Sequence, residues 1–398
     1  MPLYPTAQLV YRFWMNSIFA GLSTTIFETM SRLAREHDAV NLGQGFPDDA
    51  GPLDVREKAA EAVMTGWNQY PPMLGLPELR RAIAEHYARF QDVVVDPDSE
   101  VMVTSGATEA IADALMALIE PGDEVVLFQP MYDAYLPLVR RAGGVPRFVT
   151  LQPPHWRLTR EALDAAFSAR TKVVLFNNPL NPAAVAFSDE DQALLAEYCV
   201  HYNAIAVCDE VWEHVVFDGR THRPLIGFPG MRERTVKIGS AGKIFSLTGW
   251  KVGFVMAAAP ILKVIAKAHQ FFTFTTPPNL QAAVAYGLGK EDAYFTGMRA
   301  DLQRSRDRFA AGLAGLGFAT LPSEASYFLN IDLKASGIEE DDVSFCKRLV
   351  AEHKVAAIPV SAFYAQDAVT TVVRFCFAKR DETLAAALAN LKGVARRK

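Results

Sequence analysis

Cysteine is scarce in this sequence, and so are patterns that bind metals. The 398 residues include four cysteines, which lie in apolar contexts without a Cys-x-x-Cys pair. Cysteines of this kind indicate buried thiols in a reducing compartment, and they argue against a disulfide scaffold or a structural zinc site. The eight histidines are scattered and show no ligand spacing. We therefore expect no bound metal.

The sequence also lacks an excess of basic charge and any long hydrophobic run. The formal net charge is −5, so no positive field favours nucleic acid or an anionic membrane as a partner. No apolar stretch has the length of a membrane span. Residues 9–22 are the only candidate for a targeting element, but they lack a clear basic region, and Asn16 and Ser17 interrupt them. We expect a cytoplasmic protein in which this segment packs as an apolar arm on a partner subunit.

The sequence does contain a long alternation of predicted strands and helices. From residue 100 to residue 209, short apolar runs alternate with segments of helical periodicity. This order is typical of an α/β domain, with a mainly parallel sheet between helices. After residue 292 a long helix leads to a smaller α+β pattern, with strands predicted at 355–359 and 371–377. We predict an N-terminal arm with part of the small domain at 1–50, a large domain at 51–291 and a small domain at 292–398.

Two lysines, Lys243 and Lys251, lie in a segment rich in glycine and serine between two predicted buried strands. A lysine at a strand end, among glycines that expose backbone N–H groups, can attack a carbonyl as a nucleophilic amine. A second lysine can hold a phosphate as a point charge. Pyridoxal phosphate, an aldehyde that carries a phosphate, would use both. For this segment alone, a glycine-rich turn with two solvated lysines is the alternative.

Further polar residues fall at the ends of predicted strands, where sheets of this kind bind ligands. Residues 105–108 join a strand to a helix N-terminus, whose N–H groups and dipole favour a phosphate. Asp209 ends a buried strand and needs a cationic partner. That partner is either a pyridinium nitrogen or a neighbouring lysine or arginine. Asn181 could donate to the phenolic oxygen of such a cofactor, and Tyr132 could stack on its ring.

Arg374 lies inside the apolar predicted strand 371–377. A buried guanidinium needs an anionic partner, and its planar fork suits the carboxylate of a substrate. A structural Asp or Glu is the alternative partner.

Together these segments resemble the fold-type-I pyridoxal-phosphate enzymes of aminotransferase class I/II. The resemblance runs from about residue 22 to the C-terminus, and its most specific parts are residues 41–48, 105–110, 178–182, 209–211, 240–253 and 373–377. Residues 240–253 (Ser-Ala-Gly-Lys-Ile-Phe-Ser-Leu-Thr-Gly-Trp-Lys-Val-Gly) are especially similar to the kynurenine aminotransferase/glutamine transaminase K branch. Bacterial methionine aminotransferases and N-succinyldiaminopimelate aminotransferases are similar over the same span.

The resemblance implies an aspartate-aminotransferase-like large domain that binds the cofactor. Lys243 would be the Schiff-base lysine, and Asp209 would be the partner of the pyridinium nitrogen. Asn181 would contact the cofactor O3′, and Tyr132 would stack on the ring. The cofactor phosphate would be held by Gly106, Ala107, Thr108, Ser240 and Lys251, with Tyr70 reaching across from the second subunit of a homodimer.

The resemblance also implies how an amino acid binds. Its carboxylate would be held by the Gly45 backbone, Asn181 and Arg374. Phe274, contributed by the second subunit, would line the pocket for the substrate side chain.

The sequence departs from the family at two positions. Trp212 stands where the family usually has the tyrosine of Asp-Glu-Val-Tyr, which puts a phenol–cofactor hydrogen bond in question. We expect the indole N–H to point away from the cofactor, and the alternative is that Trp212 only fills the core. Ala183 and Ala184 stand where a small residue and a glycine are usual, which puts the path of that loop in question.

The predicted function is the transfer of an amino group from an L-amino acid to a 2-oxo acid by a ping-pong mechanism through a Lys243 Schiff base. The apolar run at 271–274 and the N-terminal segment, together with the resemblance to the glutamine transaminase K branch, favour neutral, bulky donors such as methionine, glutamine, aromatic amino acids or kynurenine. The alternatives are a carbon–sulfur β-lyase on the same scaffold, an N-succinyldiaminopimelate aminotransferase, and a cofactor-binding regulator without catalysis. Lys243 and the absence of a DNA-binding motif argue against the regulator.

Overall fold

The fold is built on a seven-stranded sheet that follows the first hundred residues. The computed structural model describes residues 15–395. The elements that precede the sheet are α1 (Ser17–Ala20), α2 (Ile26–Glu36), β1 (Val40–Asn41), α3 (Leu53–Thr65) and α4 (Pro77–Gln91). The strands of the sheet are β2 (Val101–Thr104), β3 (Glu124–Gln129), β4 (Val145–Thr150), β5 (Thr171–Asn177), β6 (Ile205–Asp209), β7 (Thr235–Ser240) and β8 (Gly253–Ala257).

The strand order across the sheet is β2-β8-β7-β6-β5-β3-β4. Strand β8 runs antiparallel to both of its neighbours, and the remaining pairs are parallel. The carboxyl ends of β2, β3, β5, β6 and β7 therefore meet at one edge. The predicted α/β class with a mainly parallel sheet is confirmed.

Helices connect the strands and cover the sheet. They are α5 (Ala107–Leu118), α6 (Tyr135–Arg141), α7 (Arg160–Ala166), α8 (Asp189–His201), α9 (Ala241–Ile244), α10 (Ala259–Phe272) and α11 (Pro278–Leu288). Successive residues of a strand point to opposite faces, so Val125 and Leu127 of β3 pack in one apolar cluster. Val126 and Phe128 pack in another. Both faces of the sheet are therefore buried, as the continuous apolar runs of its strands require.

The C-terminal part of the chain forms a smaller four-stranded antiparallel sheet with helices. Its elements are α12 (Asp292–Gly315), β9 (Ala319–Thr320), β10 (Phe328–Asp332), α13 (Asp342–His353), β11 (Val355–Ala356), β12 (Ile358–Pro359), β13 (Val372–Cys376) and α14 (Asp381–Asn390). The strand order of this sheet is β12-β13-β10-β9. Strand β1 pairs in parallel with β11, so residues near the N-terminus join the C-terminal core. The domain limits at residues 50 and 291 stay a prediction.

The single strand predicted at 355–359 is wrong. Val355 and Ala356 pair with β1, whereas Ile358 and Pro359 pair with β13. The apolar run is continuous, but it serves two different sheets, and only the pairing partners reveal the break. Of the predicted apolar arm, residues 9–14 lie outside the described residues. Within 15–395, none of the helices combines the length and hydropathy that a membrane crossing requires.

The loop after β5 keeps a left-handed turn at Ala184, where the resembling family usually has glycine. Ala184 has a φ of 64°, and its side chain is fully buried. Its carbonyl accepts hydrogen bonds from the N–H groups of Glu324 (2.8 Å) and Ala325 (3.1 Å). These contacts fix the loop path in spite of the methyl group, and the loop brings Asn181 to the edge of the sheet.

We expect the Ala184→Gly substitution to change the free energy of unfolding by less than about 1 kcal/mol. Relief of the left-handed conformation offsets the greater flexibility of glycine in the unfolded chain and the loss of one buried methyl group. Ala184→Val should instead destabilise the protein by about 3 kcal/mol or more, because a β-branched residue disfavours positive φ and the site is closely packed. Chemical denaturation of both variants tests this, and equal stabilities would contradict it.

Candidate active site

A cavity of about 390 Å³ lies at the carboxyl ends of the parallel strands. Eleven residues that the sequence predicts as site residues line it: Gly45, Gly106, Ala107, Thr108, Tyr132, Asn181, Asp209, Ser240, Lys243, Lys251 and Arg374. They come from both the large sheet and the smaller C-terminal sheet. The structure therefore brings together residues that are more than 300 positions apart in the sequence.

One end of the cavity is a cradle formed by the turn between β2 and α5. Gly106 has a φ of 84°, and a Cβ there would lie 3.1 Å from Lys251 Nζ. Gly253 faces this turn from β8, and a Cβ there would lie 2.5 Å from the Gly106 carbonyl carbon. Two glycines are thus needed for the turn, the strand and the Lys251 ammonium to approach each other. The first N–H groups of α5 and this ammonium form a site that fits a phosphate.

Asp209 ends β6 with one carboxylate oxygen bonded and the other free. Tyr135 Oη donates to Asp209 Oδ2 at 2.6 Å. The Oδ1 atom is buried and has no hydrogen-bond partner within the described part of the chain, and burial raises the pKa of the carboxyl. The alternative of an ion pair with lysine or arginine is not found among residues 15–395. An unpartnered buried carboxylate oxygen fits a protonated ring nitrogen.

Lys243 lies in the single turn of α9, directly after β7. Its Nζ atom donates to the Gly45 carbonyl at 3.2 Å, and burial lowers its pKa to about 8. Tyr327 Oη donates to the Lys243 carbonyl at 2.8 Å, which fixes the backbone. A lower pKa increases the fraction of neutral amine near neutral pH, and the neutral amine is the nucleophile.

Trp212 contacts this lysine. Its ring centre lies 4.6 Å from Lys243 Nζ, and its ring packs edge-on against Tyr327. Trp212 is buried and lines the cavity. Trp212 therefore both packs in the core and contacts Lys243, and the direction of its indole N–H relative to the cofactor stays a prediction.

Arg374 lies in the middle of β13 and is fully buried. Its Nη1 donates to Asn181 Oδ1 at 2.8 Å, and its Nη2 donates to the Gly43 carbonyl at 3.0 Å. The guanidinium carbon lies 3.9 Å from the Phe328 ring centre. Its Nε has no acceptor in the described residues, and burial lowers the pKa to about 10.

The structure gives Arg374 no protein carboxylate as a partner within residues 15–395. An uncompensated buried cation is costly, so this guanidinium is suited to an anion that arrives with the substrate. The alternative of a structural Asp or Glu is not found there.

Several site residues were not identified from the sequence. Tyr135 bonds to Asp209 although no motif marks it. Phe27, Phe46 and Phe328 line the cavity, and in the sequence they look like ordinary core residues. Their roles depend on which strands and helices meet, which local patterns do not encode.

Tyr70 and Phe274 do not line the cavity of their own chain. Both are exposed on the surface, and their ring centres lie 5.7 Å apart in an edge-to-face contact. Their assignment to the site of a second subunit stays a prediction.

Comparison with known proteins agrees with this geometry. Residues 37–391 match the family described as aminotransferase class I and II. The chain is 43% identical over 386 residues to a Mycobacterium tuberculosis protein named as an N-succinyldiaminopimelate aminotransferase, covering 94% of this chain and 97% of that protein. It is 41% identical over 371 residues to the methionine aminotransferase of Escherichia coli, covering 93% of this chain and 96% of that protein. The solved structure of N-succinyldiaminopimelate aminotransferase from Mycobacterium tuberculosis superposes with a TM-score of 0.92 at 44% identity, covering 95% of this chain and 99% of that chain.

The chain therefore belongs to the class I and II aminotransferases. It is a pyridoxal-phosphate-dependent enzyme with the aspartate-aminotransferase-like fold. The predicted family, fold class, enzyme class and cofactor are confirmed. The free Asp209 oxygen and the glycine-lined cradle show that the residues present fit this cofactor.

We expect Arg374→Lys to weaken amino-acid binding far more than an exchange of two cations suggests. Lysine cannot present a planar pair of N–H donors, and losing one strong charge-assisted bond in a buried site costs about 2 kcal/mol, or about thirtyfold in affinity. Steady-state kinetics and binding of a non-reactive carboxylate ligand measure the effect. Arg348→Lys, at an arginine paired with Glu340, is the control. Unchanged kinetics in a folded Arg374→Lys protein would show that Arg374 does not bind the substrate.

Proposed function

We propose that this aminotransferase acts on neutral, bulky L-amino acids, with methionine, glutamine, aromatic amino acids and kynurenine as the donor class, and that Lys243 is its Schiff-base lysine. The donor would pass its amino group to a 2-oxo acid in a ping-pong reaction. The observation that supports this proposal is the small number of charged side chains in the cavity. The charged side chains among its described lining residues are Asp209, Lys243, Lys251 and Arg374.

Each of these four charges has a counterpart in the cofactor or in the amino-acid backbone. Asp209 would pair with the ring nitrogen, Lys251 with the phosphate, and Arg374 with the α-carboxylate. Lys243 is needed for the chemistry. No cation is left within the described lining for a second substrate carboxylate, and Phe27, Phe46 and Phe328 provide an apolar wall.

Bound pyridoxal phosphate supplies an electrophilic carbon for the amine and a ring that withdraws electrons from the substrate Cα. The protein residues then have separate tasks. Asp209 keeps the ring nitrogen protonated, since its free oxygen lies in a buried site. Arg374 and Asn181 fix the α-carboxylate and so orient Cα. The Lys243 amine, once free of the cofactor, would take the proton from Cα as general base and deliver it to the cofactor carbon C4′ as general acid.

We also propose a homodimer in which Tyr70 and Phe274 enter the site of the partner subunit. Large apolar side chains near these two residues are exposed on the single chain, namely Met64, Trp67, Phe271 and Phe272. Contiguous apolar surface of this kind is usually covered by a protein partner. A cytoplasmic location is proposed because the four cysteines are free thiols, all of them buried.

The donor class can be tested with the half-reaction that converts the pyridoxal form of the enzyme to the pyridoxamine form. We expect kcat/KM for methionine to exceed that for aspartate and for N-succinyldiaminopimelate by about tenfold or more, because a second carboxylate would enter an apolar wall without a cation. Stopped-flow absorbance measures each donor. Faster reaction with N-succinyldiaminopimelate would support the alternative that the Mycobacterium tuberculosis relative names. Release of thiol and ammonia from a cysteine conjugate, without pyridoxamine formation, would support the β-lyase.

We expect Lys243→Ala to fold, to bind cofactor weakly and to lose transamination by about a thousandfold or more, because the proton carrier is removed. Lys251→Ala is the matched variant, since it removes a second lysine of the same segment that acts only as a charge. Borohydride reduction followed by peptide mass analysis should place the cofactor on Lys243 in wild type and in Lys251→Ala. Labelling of Lys251, or normal turnover in Lys243→Ala, would refute the assignment.

A further inference from the structure

Three buried ionisable side chains lie next to the phosphate cradle without lining the cavity. Glu109 and Asp113 are one turn apart on α5, and His269 is in the last turn of α10. Asp113 and His269 are fully buried, and the Glu109 side chain is one-tenth exposed. The reaction described above uses none of them.

His269 contacts α5 through one ring nitrogen and the loop between α3 and α4 through the other. Its Nδ1 lies 2.9 Å from Glu109 Oε1 and 3.4 Å from Asp113 Oδ2. Its Nε2 lies 3.1 Å from the Met73 carbonyl oxygen, which can only accept a hydrogen bond, so Nε2 carries a proton. A second proton on Nδ1 lets the ring donate to Glu109 Oε1 and gives it a positive charge.

Glu109 contacts His269 with one carboxylate oxygen and the phosphate cradle with the other. Its second oxygen, Oε2, accepts a hydrogen bond from the backbone N–H of Ser105, the residue before the Gly106 turn. Glu109 is also the third residue of α5. Its charge therefore lies within the first turn of the helix whose N-terminus would face the phosphate.

The charges of the three groups are consistent with an ion pair. Burial alone would lower the pKa of His269, but the neighbouring carboxylates of Asp113 and Glu109 outweigh burial and raise it to about 9. Burial raises the pKa of Asp113 to about 6. Burial also opposes ionisation of Glu109, yet hydrogen bonds from His269, Thr273 and Ser105 hold its pKa below the ordinary value.

We propose that His269 is a positioning residue for the cofactor phosphate, acting as an imidazolium that neutralises Glu109 while Glu109 anchors the Ser105 N–H. Without this counter-charge, Glu109 would place an unbalanced negative charge beside a bound dianion. The carboxylate is retained because it satisfies an N–H group at the start of the cradle. This inference rests on the proposed position of the phosphate at the N-terminus of α5.

The test is a double-mutant cycle on cofactor affinity, measured by titrating the apoenzyme with pyridoxal phosphate and following absorbance. We expect His269→Gln to raise Kd about tenfold or more, since a buried charge loses its partner. Glu109→Gln keeps an acceptor for Ser105 and should have a smaller effect. The double variant should bind nearly as well as Glu109→Gln, because the first turn of α5 then carries no charge at position 109 that His269 would have to balance. Additive effects of the two substitutions would overturn the proposal.

Ile265→Ala is the matched control, since Ile265 is a fully buried residue one turn earlier on α10. It should lower the free energy of unfolding without changing Kd, because it removes packing but no charge. An increase in Kd equal to that of His269→Gln would show a purely structural role. If His269→Gln does not fold, the test compares the Kd of Glu109→Gln with the Kd of the double variant. Values of Kd within about threefold of each other support the proposal, and a large loss in the double variant refutes it.

Lys251→Ala separates this inference from the proposed function. If it leaves Kd for pyridoxal phosphate unchanged, the phosphate lies elsewhere and the proposed arrangement of the site fails. If it weakens binding while the His269 and Glu109 effects are additive, only the present inference fails. One divalent cation per chain in metal analysis of the purified protein, absent from His269→Gln, would show a metal centre instead and would also overturn it.

Discussion

Charge that is buried without a protein partner is the constraint on which this site depends. Asp209 and Arg374 line the same cavity, and each leaves one polar atom without a partner among the described residues. Both would be strongly destabilising if they were simply enclosed in a core. The fold tolerates them because each also has a neutral hydrogen-bond partner, Tyr135 for Asp209 and Asn181 for Arg374. Burial of Asp209 and Arg374 still costs free energy after these hydrogen bonds form. A ligand of opposite charge offsets that cost when it binds.

The sheet registers explain how such charges can be placed accurately. Asn177, Asp209 and Ile238 are paired across β5, β6 and β7, so the end of each parallel strand is fixed by its neighbour. Antiparallel β8 then brings Gly253 beside Ser240 and Thr104. Arg374 comes from the other sheet, where it is paired with Asn330 and Ile358. Backbone hydrogen bonds within the two sheets therefore fix the strand positions from which these site residues project.

Much of this arrangement could be predicted from the sequence, because it follows from local patterns. Strand–helix alternation indicates the parallel sheet, and such a sheet directs Asp209 and Lys243 to one edge. The remaining contacts depend on tertiary packing. Nothing near Tyr135 in the sequence marks it as the partner of Asp209, and Phe328 looks like any apolar strand residue before it is found under Arg374. His269 and Glu109 are 160 positions apart, so their ion pair has no local signal. The contact between the Trp212 ring and Lys243 also has no local signal in the sequence.

The charged residues of the pocket also limit how far the substrate of this chain can be inferred from the name of a relative. Identity of 43% to a protein named for a substrate with several carboxylates shows the family and the fold. It does not supply a cation at the far end of the pocket. In this chain the charged residues of the described lining are all assigned to the cofactor or to the amino-acid backbone, and the aromatic rings of the lining are poor neighbours for a desolvated carboxylate. A second subunit could change this only by contributing a basic residue. The surface segments expected to cross over, around Tyr70 and Phe274, are instead mostly apolar. Substrate choice in this branch is therefore better read from unpaired charge in the pocket than from overall identity.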